Sequence, residues 1–340
     1  MSLRNYWYIA CESRRLAKRP LAVTMFGRAL VVWRDAGGAP CAAEDRCAHR
    51  HAPLSAGAVD GGCLVCPYHG WRYDSDGRCV HVPSLADGRP RPAGAFVPAH
   101  RACEQDGYVW ICPGEGTPPA HPRRFPHCDE PGWTTFRMRS RFATGLEACL
   151  ENFLDCPHTA TVHRGWFRTP DPREMDAIVR RTDDGVEVEF LDEPVSPSLV
   201  SRLFYPRGAK PRHTDRFLMP NISRVDYEFG PRHHYIITSQ ATPVSDEETE
   251  VFTVITLRHG RIGPLVRLAF EPMSRRIIRQ DVDILAAHGM NRRRFGGDPR
   301  AEVHAETDLV ALHMQAMRRR ADRGEAPKAI CSEQTIRIRF

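Results

Sequence analysis

The chain has 340 residues, of which 41% are hydrophobic and 26% charged, with a formal net charge of +6. Those proportions are ordinary for a globular protein and exclude a disordered or fibrous chain, while the length allows two domains with a sizeable core. The surplus positive charge sits in clusters such as Arg292–Arg294 and Arg318–Arg320, and no basic stretch is interleaved with stacking aromatics, which argues against a nucleic-acid-binding module.

The opening "MSLRNYWYIACESRRL" has no apolar core of signal-peptide length, and no window approaches eighteen uninterrupted apolar residues, so neither a leader nor a membrane span is expected. Twelve cysteines in such a chain read as reduced thiols or metal ligands, and the expected compartment is the cytoplasm. From Asn5 to about Cys112 short apolar runs alternate with turns: "LAVTMFGRALVVWRD" folds back around Gly27, "AGGAP" turns the chain, and "GYVWICPG" is a further strand. This portion is expected to be all-β. The Pro/Gly-rich "PGEGTPPAHPRRFP", Pro113 to Pro126, marks a boundary, and the expected domains are 1–115 and 116–340.

Beyond it the pattern changes. "SRFATGLEACLENFLD" ends in a helical pattern, while "GVEVEFLD", "HHYIITSQATPV" and "TEVFTVITLRHG" read as antiparallel strands. Met273 to Asn291 and Arg300 to Arg323 read as helices. The second portion is therefore α+β, a sheet packed by helices.

Two motifs carry chemistry. "CAHR" at Cys47–Arg50 and "CPYHGW" at Cys66–Trp71 give Cys-x-His, sixteen intervening residues, then Cys-x-x-His. Two thiolates and two imidazoles suit either one tetrahedral zinc ion or a two-iron, two-sulfide cluster with both cysteines on one iron and both histidines on the other. Each loop supplies one ligand of each kind, which favours the cluster. Pro67, Gly70 and the "PLSAG" turn at Pro53–Gly57 would let backbone amides approach the sulfides. The other motif is "ENFLDCPHTATVH", Glu151 to His163. Asp155 and His158 are three apart and share a helix face, whereas His158 and His163 are five apart, a rotation of roughly 140° on a regular helix. They converge only if the helix ends or bulges between them, and Pro157 fits an altered hydrogen-bond ladder there.

"DRCAHRHAPLSAG" and "LVCPYHGWRYDSDGRC" resemble the Rieske domain of the Rieske non-haem iron oxygenases, the terminal oxygenase components. The similarity begins near "NYWYIA" and continues past the linker. It implies an N-terminal all-β Rieske [2Fe-2S] domain followed by a helix-grip-like catalytic domain of antiparallel sheet plus helices. Cys47 and Cys66 would hold one iron and His49 and His69 the other. "DCPHTATVH" matches the family's Asp-x-x-His…His pattern, making His158 and His163 ligands of a mononuclear Fe(II). Two imidazoles and one carboxylate on one face of iron leave positions open for O₂ and substrate. The resemblance places the carboxylate in an Asp-x-x-x-Leu context early in a late helix: Asp281, one turn before Leu285, fits better than Asp283. Asp155 is then no ligand but a bridge from His158 to His69 of a neighbouring chain, which requires a ring such as a homotrimer. Asn152 is either a residue supporting the iron ligands or a capping and packing residue.

The same resemblance implies O₂-dependent hydroxylation or oxidative demethylation of a hydrophobic or ring-bearing small molecule. Desaturation remains open, and so does cis-dihydroxylation by an aromatic ring dioxygenase large subunit. A non-enzymatic Rieske or zinc-binding protein is the rival of another class, and the Asp155/His158/His163 constellation speaks against it. No Gly-rich dinucleotide fingerprint or plant-type ferredoxin cysteine set is visible, so NAD(P)H would act only through a separate reductase, with or without a ferredoxin. The short chain looks more like the homotrimeric monooxygenases and demethylases than the larger ring-dioxygenase subunits. Arg50 and Arg72 mark the expected docking face; the substrate pocket is expected to be lined by the sheet and the stretch between Phe190 and Asn221, where Leu203, Phe204, Tyr205, Phe217 and Met219 are either pocket residues or, as is commoner, ordinary core.

Overall fold

A computed structural model describes residues 2–166, 173–194, 198–204, 208, 210–230, 232–296, 302–325 and 332–339. The chain divides into two compact units, Ser2–Arg124 and Phe125–Phe340.

The first unit is all-β. A six-stranded antiparallel sheet runs in the order Tyr8–Glu12, Tyr108–Cys112, Ala99–Gln105, Pro40–Glu44, Arg28–Arg34, Leu21–Met25. A smaller sheet runs Ala58–Asp60, Cys63–Val65, Arg72–Tyr73, Cys79–His81. Leu30, Val31, Val32 and Trp33 are successive residues of one strand and all are buried, because both faces of that strand carry core. The two loops that bear the Cys-x-His and Cys-x-x-His motifs are tight turns. Cys47 donates its N–H to the Ala52 carbonyl at 2.9 Å, and Cys66 does the same to Trp71 at 2.9 Å. Gly57 lies so close to the second loop that an added Cβ would stand 2.0 Å from the Val65 carbonyl oxygen.

The second unit wraps one eight-stranded antiparallel sheet with helices. The strand order is Thr134–Phe142, Glu248–Arg258, His234–Ser245, Ile222–Glu228, Arg212–Leu218, Gly185–Phe190, Met175–Arg181, Ser332–Ile338. Helix α1 (Leu146–Leu154) buries Leu146, Cys149, Leu150 and Leu154, an i, i+3, i+4, i+8 stripe. That stripe packs with Leu285, Val310, Met314 and Met317 against the sheet. After α1 come the one-turn α2 (His158–Thr161), α3 (Leu199–Phe204), α4 (Gly263–Arg294) and α5 (Leu309–Asp322). Among the described residues no helix is long and apolar enough to cross a membrane.

Helix α4 starts ten residues before the expected Met273, since Pro264 occupies its first turn and Pro272 is accommodated inside it. Helix α5 starts at Leu309, nine residues after the expected Arg300, with Glu306–Asp308 forming a 3₁₀ turn before it. Along α4, Asp281, Leu285 and Gly289 fall on one buried stripe. Gly289 seats the helix against Ala143, whose carbonyl oxygen would be 2.5 Å from any Cβ there.

Candidate functional site

In the first unit the two motif loops bring Cys47, His49, Cys66 and His69 together. Cys47 and Cys66 are buried. The His49 and His69 rings lie 4.6 Å apart, and the Trp71 indole stacks on His49 at 4.7 Å. Burial pushes the Cys66 thiol up, and the adjacent Cys47 thiol adds to the push, while backbone amides of Tyr68 and His69 pull it down. His49 Nδ1 is buried without a hydrogen-bond partner among the described residues. A buried ring nitrogen left bare costs free energy unless something coordinates it, so the four residues fit a metal cluster. The Tyr73 hydroxyl stands 3.1 Å from Cys47 Sγ and also accepts the Ala48 N–H at 3.2 Å. An O–H donor on a ligand sulfur favours the more negative, reduced state of a cluster. Tyr73→Phe is therefore expected to lower the midpoint potential by about 40 mV, one hydrogen bond of about 1 kcal/mol on a one-electron scale. Protein-film voltammetry reads that shift directly.

In the second unit α1 ends at Leu154 with Asp155 as its cap, and the single turn of α2 closes before His163. This break turns both imidazoles to one point. His158 Nε2 and His163 Nε2 are 3.3 Å apart, and Asp281 Oδ1 from α4 lies 3.5 Å and 3.1 Å from them. Ligand atoms about 2.1 Å from one metal ion at tetrahedral to right angles are about 3.0–3.4 Å apart, so the three atoms fit around a single ion. Asp283 is exposed on another face of α4. Burial would raise the Asp281 carboxyl, but the two imidazoles outweigh it and hold it below the usual carboxylate range. Burial likewise opposes charge on His158, and Asp281 beside it wins, so the imidazole titrates above its ordinary value.

A second layer orients this triad. Asn152 on α1 donates its Nδ2–H to Asp281 Oδ1 at 3.0 Å. Gln280 Oε1 accepts from His163 Nδ1 at 3.0 Å, which leaves Nε2 as the metal-facing nitrogen. Gln280 is adjacent to Asp281 in the chain, but its partner is 117 residues away, so nothing in the sequence marks the pairing. Gln280→Leu is expected to weaken iron binding about 10–100-fold while leaving the first unit's cluster intact, measured by chelator competition. His158 Nδ1 donates to the backbone carbonyl of Asp155, and the Asp155 carboxylate Oδ2 lies 3.9 Å from it, 43% exposed.

A cavity of about 910 Å³, counting its open mouth, is lined by the triad and by sheet residues including Val225, Tyr227, Ile237 and Ile255, with Phe270 and Ile277 from α4. Phe217 and Met219 pack into the core: Phe217 shares a strand face with His213 and Asp215 but lies further along the strand, where that face meets the core, and Met219 follows the strand's end. The Leu203 and Phe204 side chains and Tyr205 lie outside the described residues. A buried group that the sequence reading did not single out also borders the cavity. His213 hydrogen-bonds Glu193 Oε2 at 2.7 Å and Asp215 Oδ1 at 2.9 Å. Its signal, histidine and aspartate two apart on a strand, looks like ordinary surface alternation.

Residues 6–98 match the family model described as a Rieske [2Fe-2S] domain, and residues 142–323 match the vanillate O-demethylase oxygenase C-terminal domain. The chain is 34% identical to the aminopyrrolnitrin oxygenase PrnD of Pseudomonas fluorescens, over 77% of each protein. It is 34% identical to the oxygenase component of dicamba O-demethylase of Stenotrophomonas maltophilia, over 73% of this chain and 75% of that one. The crystal structure of dicamba monooxygenase bound to dicamba has the same fold, with a TM-score of 0.83 at 24% identity over 96% of this chain and 99% of that one.

Proposed function

This chain belongs to the Rieske non-haem iron oxygenases, and from that membership we propose which of its residues hold the metals and what they do. Cys47, Cys66, His49 and His69 hold the [2Fe-2S] cluster, and His158, His163 and Asp281 hold the mononuclear Fe(II). Residues 1–115 take in electrons and residues 116–340 carry out the oxidation. When bound, the cluster supplies single electrons and the iron activates O₂ for attack on a substrate C–H bond. Gln280 fixes the tautomer of His163, and Asn152 holds one oxygen of Asp281, so both ligands are oriented before a substrate enters. The apolar walls, Val225, Ile237, Ile255 and Phe270 among them, exclude water and hold a hydrophobic or ring-bearing molecule beside the iron. The reaction is hydroxylation or oxidative demethylation of that molecule in the cytoplasm.

Asp155 serves as the electron bridge to a second chain. Support comes from its exposed carboxylate on the segment that also carries His158, available to an imidazole N–H from outside. The partner would be His69 of an adjacent subunit in a homotrimer, itself exposed beside Tyr68, which is 66% exposed. Electrons come from NAD(P)H through a separate reductase docking near Arg50, since Arg72 is engaged with Asp60 at 2.6 Å. The convergence of His158, His163 and Asp281 within 3.5 Å at a cavity carries this reading. Iron and acid-labile sulfide on anaerobically purified protein, with electron paramagnetic resonance after dithionite, test it. About three irons and two sulfides per chain are expected, with a Rieske signal. One zinc and no sulfide would overturn it.

A further inference from the structure

The cavity wall opposite in character to its apolar lining is the group built on His213. The strand Arg212–Leu218 places His213 and Asp215 on one side, both buried, at 1% and 3% exposure. The imidazole is clamped between the Phe190 ring at 4.4 Å and the Tyr227 ring at 4.0 Å, both nearly parallel to it. Its two nitrogens face two different carboxylates, Glu193 and Asp215. Two hydrogen bonds from one imidazole need two protons on or beside the ring. However those protons are shared between ring and carboxylates, the three groups together carry one net negative charge. Both ring nitrogens are engaged, so this is a hydrogen-bonded triad rather than a second metal centre.

Asp215 is the acidic member that lines the cavity. Oδ1 is taken by His213, and among the described residues Oδ2 has no partner. The triad also adjoins the iron-binding segment, for Cys156 Sγ, a His213 nitrogen and an Asp215 oxygen lie within 4.8 Å of one another. The strands add only Ser223 and the hydroxyls of Ser239 and Thr253, which bond each other at 2.9 Å; the other carboxylates of the lining, Asp155 and Asp281, belong to the His158/His163 side, where Asp281 is engaged by both imidazoles. A carboxylate oxygen held rigid in apolar surroundings calls for a cationic donor and repels an anion, because a low-dielectric site strengthens both effects. We propose that the cavity selects a hydrophobic substrate bearing a protonated amine, held by Asp215 on the His213 wall. This inference rests on the cavity being the oxygenase's substrate site, and it names the substrate class.

Three probes of one shape test it on the purified holoenzyme by isothermal titration near neutral pH: 2-naphthylmethylamine, 2-naphthylmethanol and 2-naphthoic acid. The amine is expected to bind about tenfold more tightly than the alcohol, and the acid not measurably, as suits a charge-assisted hydrogen bond. Asp215→Asn, which keeps an acceptor for His213 and removes the charge, is expected to bring amine and alcohol affinities together. The comparison in the unmodified chain stands even if that variant fails to fold. Equal binding of amine and alcohol, or preferred binding of the acid, overturns the inference. Iron content of the same sample separates the two readings. Amine selectivity without mononuclear iron sustains the triad's role while the oxygenase assignment of the residues fails, and full iron without selectivity does the reverse.

Discussion

His163→Ala is expected to reduce turnover on the order of a thousandfold or more, and to lower iron from about three per chain to about two. The imidazole is one of three atoms that meet within 3.5 Å, and Gln280 has already fixed which of its nitrogens faces inward. Removing it leaves two donors where three define one face of the metal, and affinity falls accordingly. It also strips Asp281 of one of the two imidazoles that hold its carboxyl low, which weakens the preference for its ionised, metal-binding form. The Rieske signal and the sulfide content are expected to stay unchanged, because the four residues of the first unit take no part. Three irons and undiminished turnover in the variant would place the reaction elsewhere.

Asp155→Asn acts on a different quantity. Iron content and cluster reduction by dithionite are expected to match the unmodified enzyme, while reoxidation of the reduced cluster with O₂ and substrate slows by about 100-fold or more. A carboxylate accepts from two imidazole N–H groups at once; an amide presents one acceptor oxygen and turns an N–H toward the other partner. Stopped-flow absorbance of the cluster follows the rate. Mixing gives a sharper check on the path between chains. Asp155→Asn chains retain a sound cluster, and His69→Ala chains retain a sound Asp155 and iron site. In a head-to-tail ring some interfaces of a mixed oligomer pair the two intact halves, so reassembled mixtures are expected to regain part of the activity. A bridge confined to one chain predicts no recovery.

The residues of both proposed metal motifs stood out because they are close in sequence. Cys47 and His49 share one turn, Cys66 and His69 another, and His158 and His163 sit either side of one short helix whose end the five-residue offset already demanded. Asp281 was singled out by the resemblance, through its Asp-x-x-x-Leu context, and the structure buries both Asp281 and Leu285 while leaving Asp283 exposed. What stayed hidden depends on strand pairing and distant packing. Gln280 meets His163 only because α4 crosses the segment after α1, and His213 meets Glu193 across twenty residues of chain. Whether Phe217 and Met219 were pocket or core was left open by the sequence for a related reason. Phe217 shares a strand face with the cavity-lining Asp215, and only the packing of sheet and helices together decides where along that face cavity gives way to core. The length of α4 was masked by Pro272, since a proline inside a helix reads as its start.

The proposed metal-binding atoms of the second unit come from α2, the turn just after it and α4, whereas much of the cavity wall comes from adjacent strands. Val225 and Tyr227, Ile237 and Ser239, Thr253 and Ile255 are alternate residues on three neighbouring strands, each facing inward without contributing to the triad. A lineage descended from this chain could therefore acquire a new diet by single codon changes on those strands, its oxidising machinery inherited untouched.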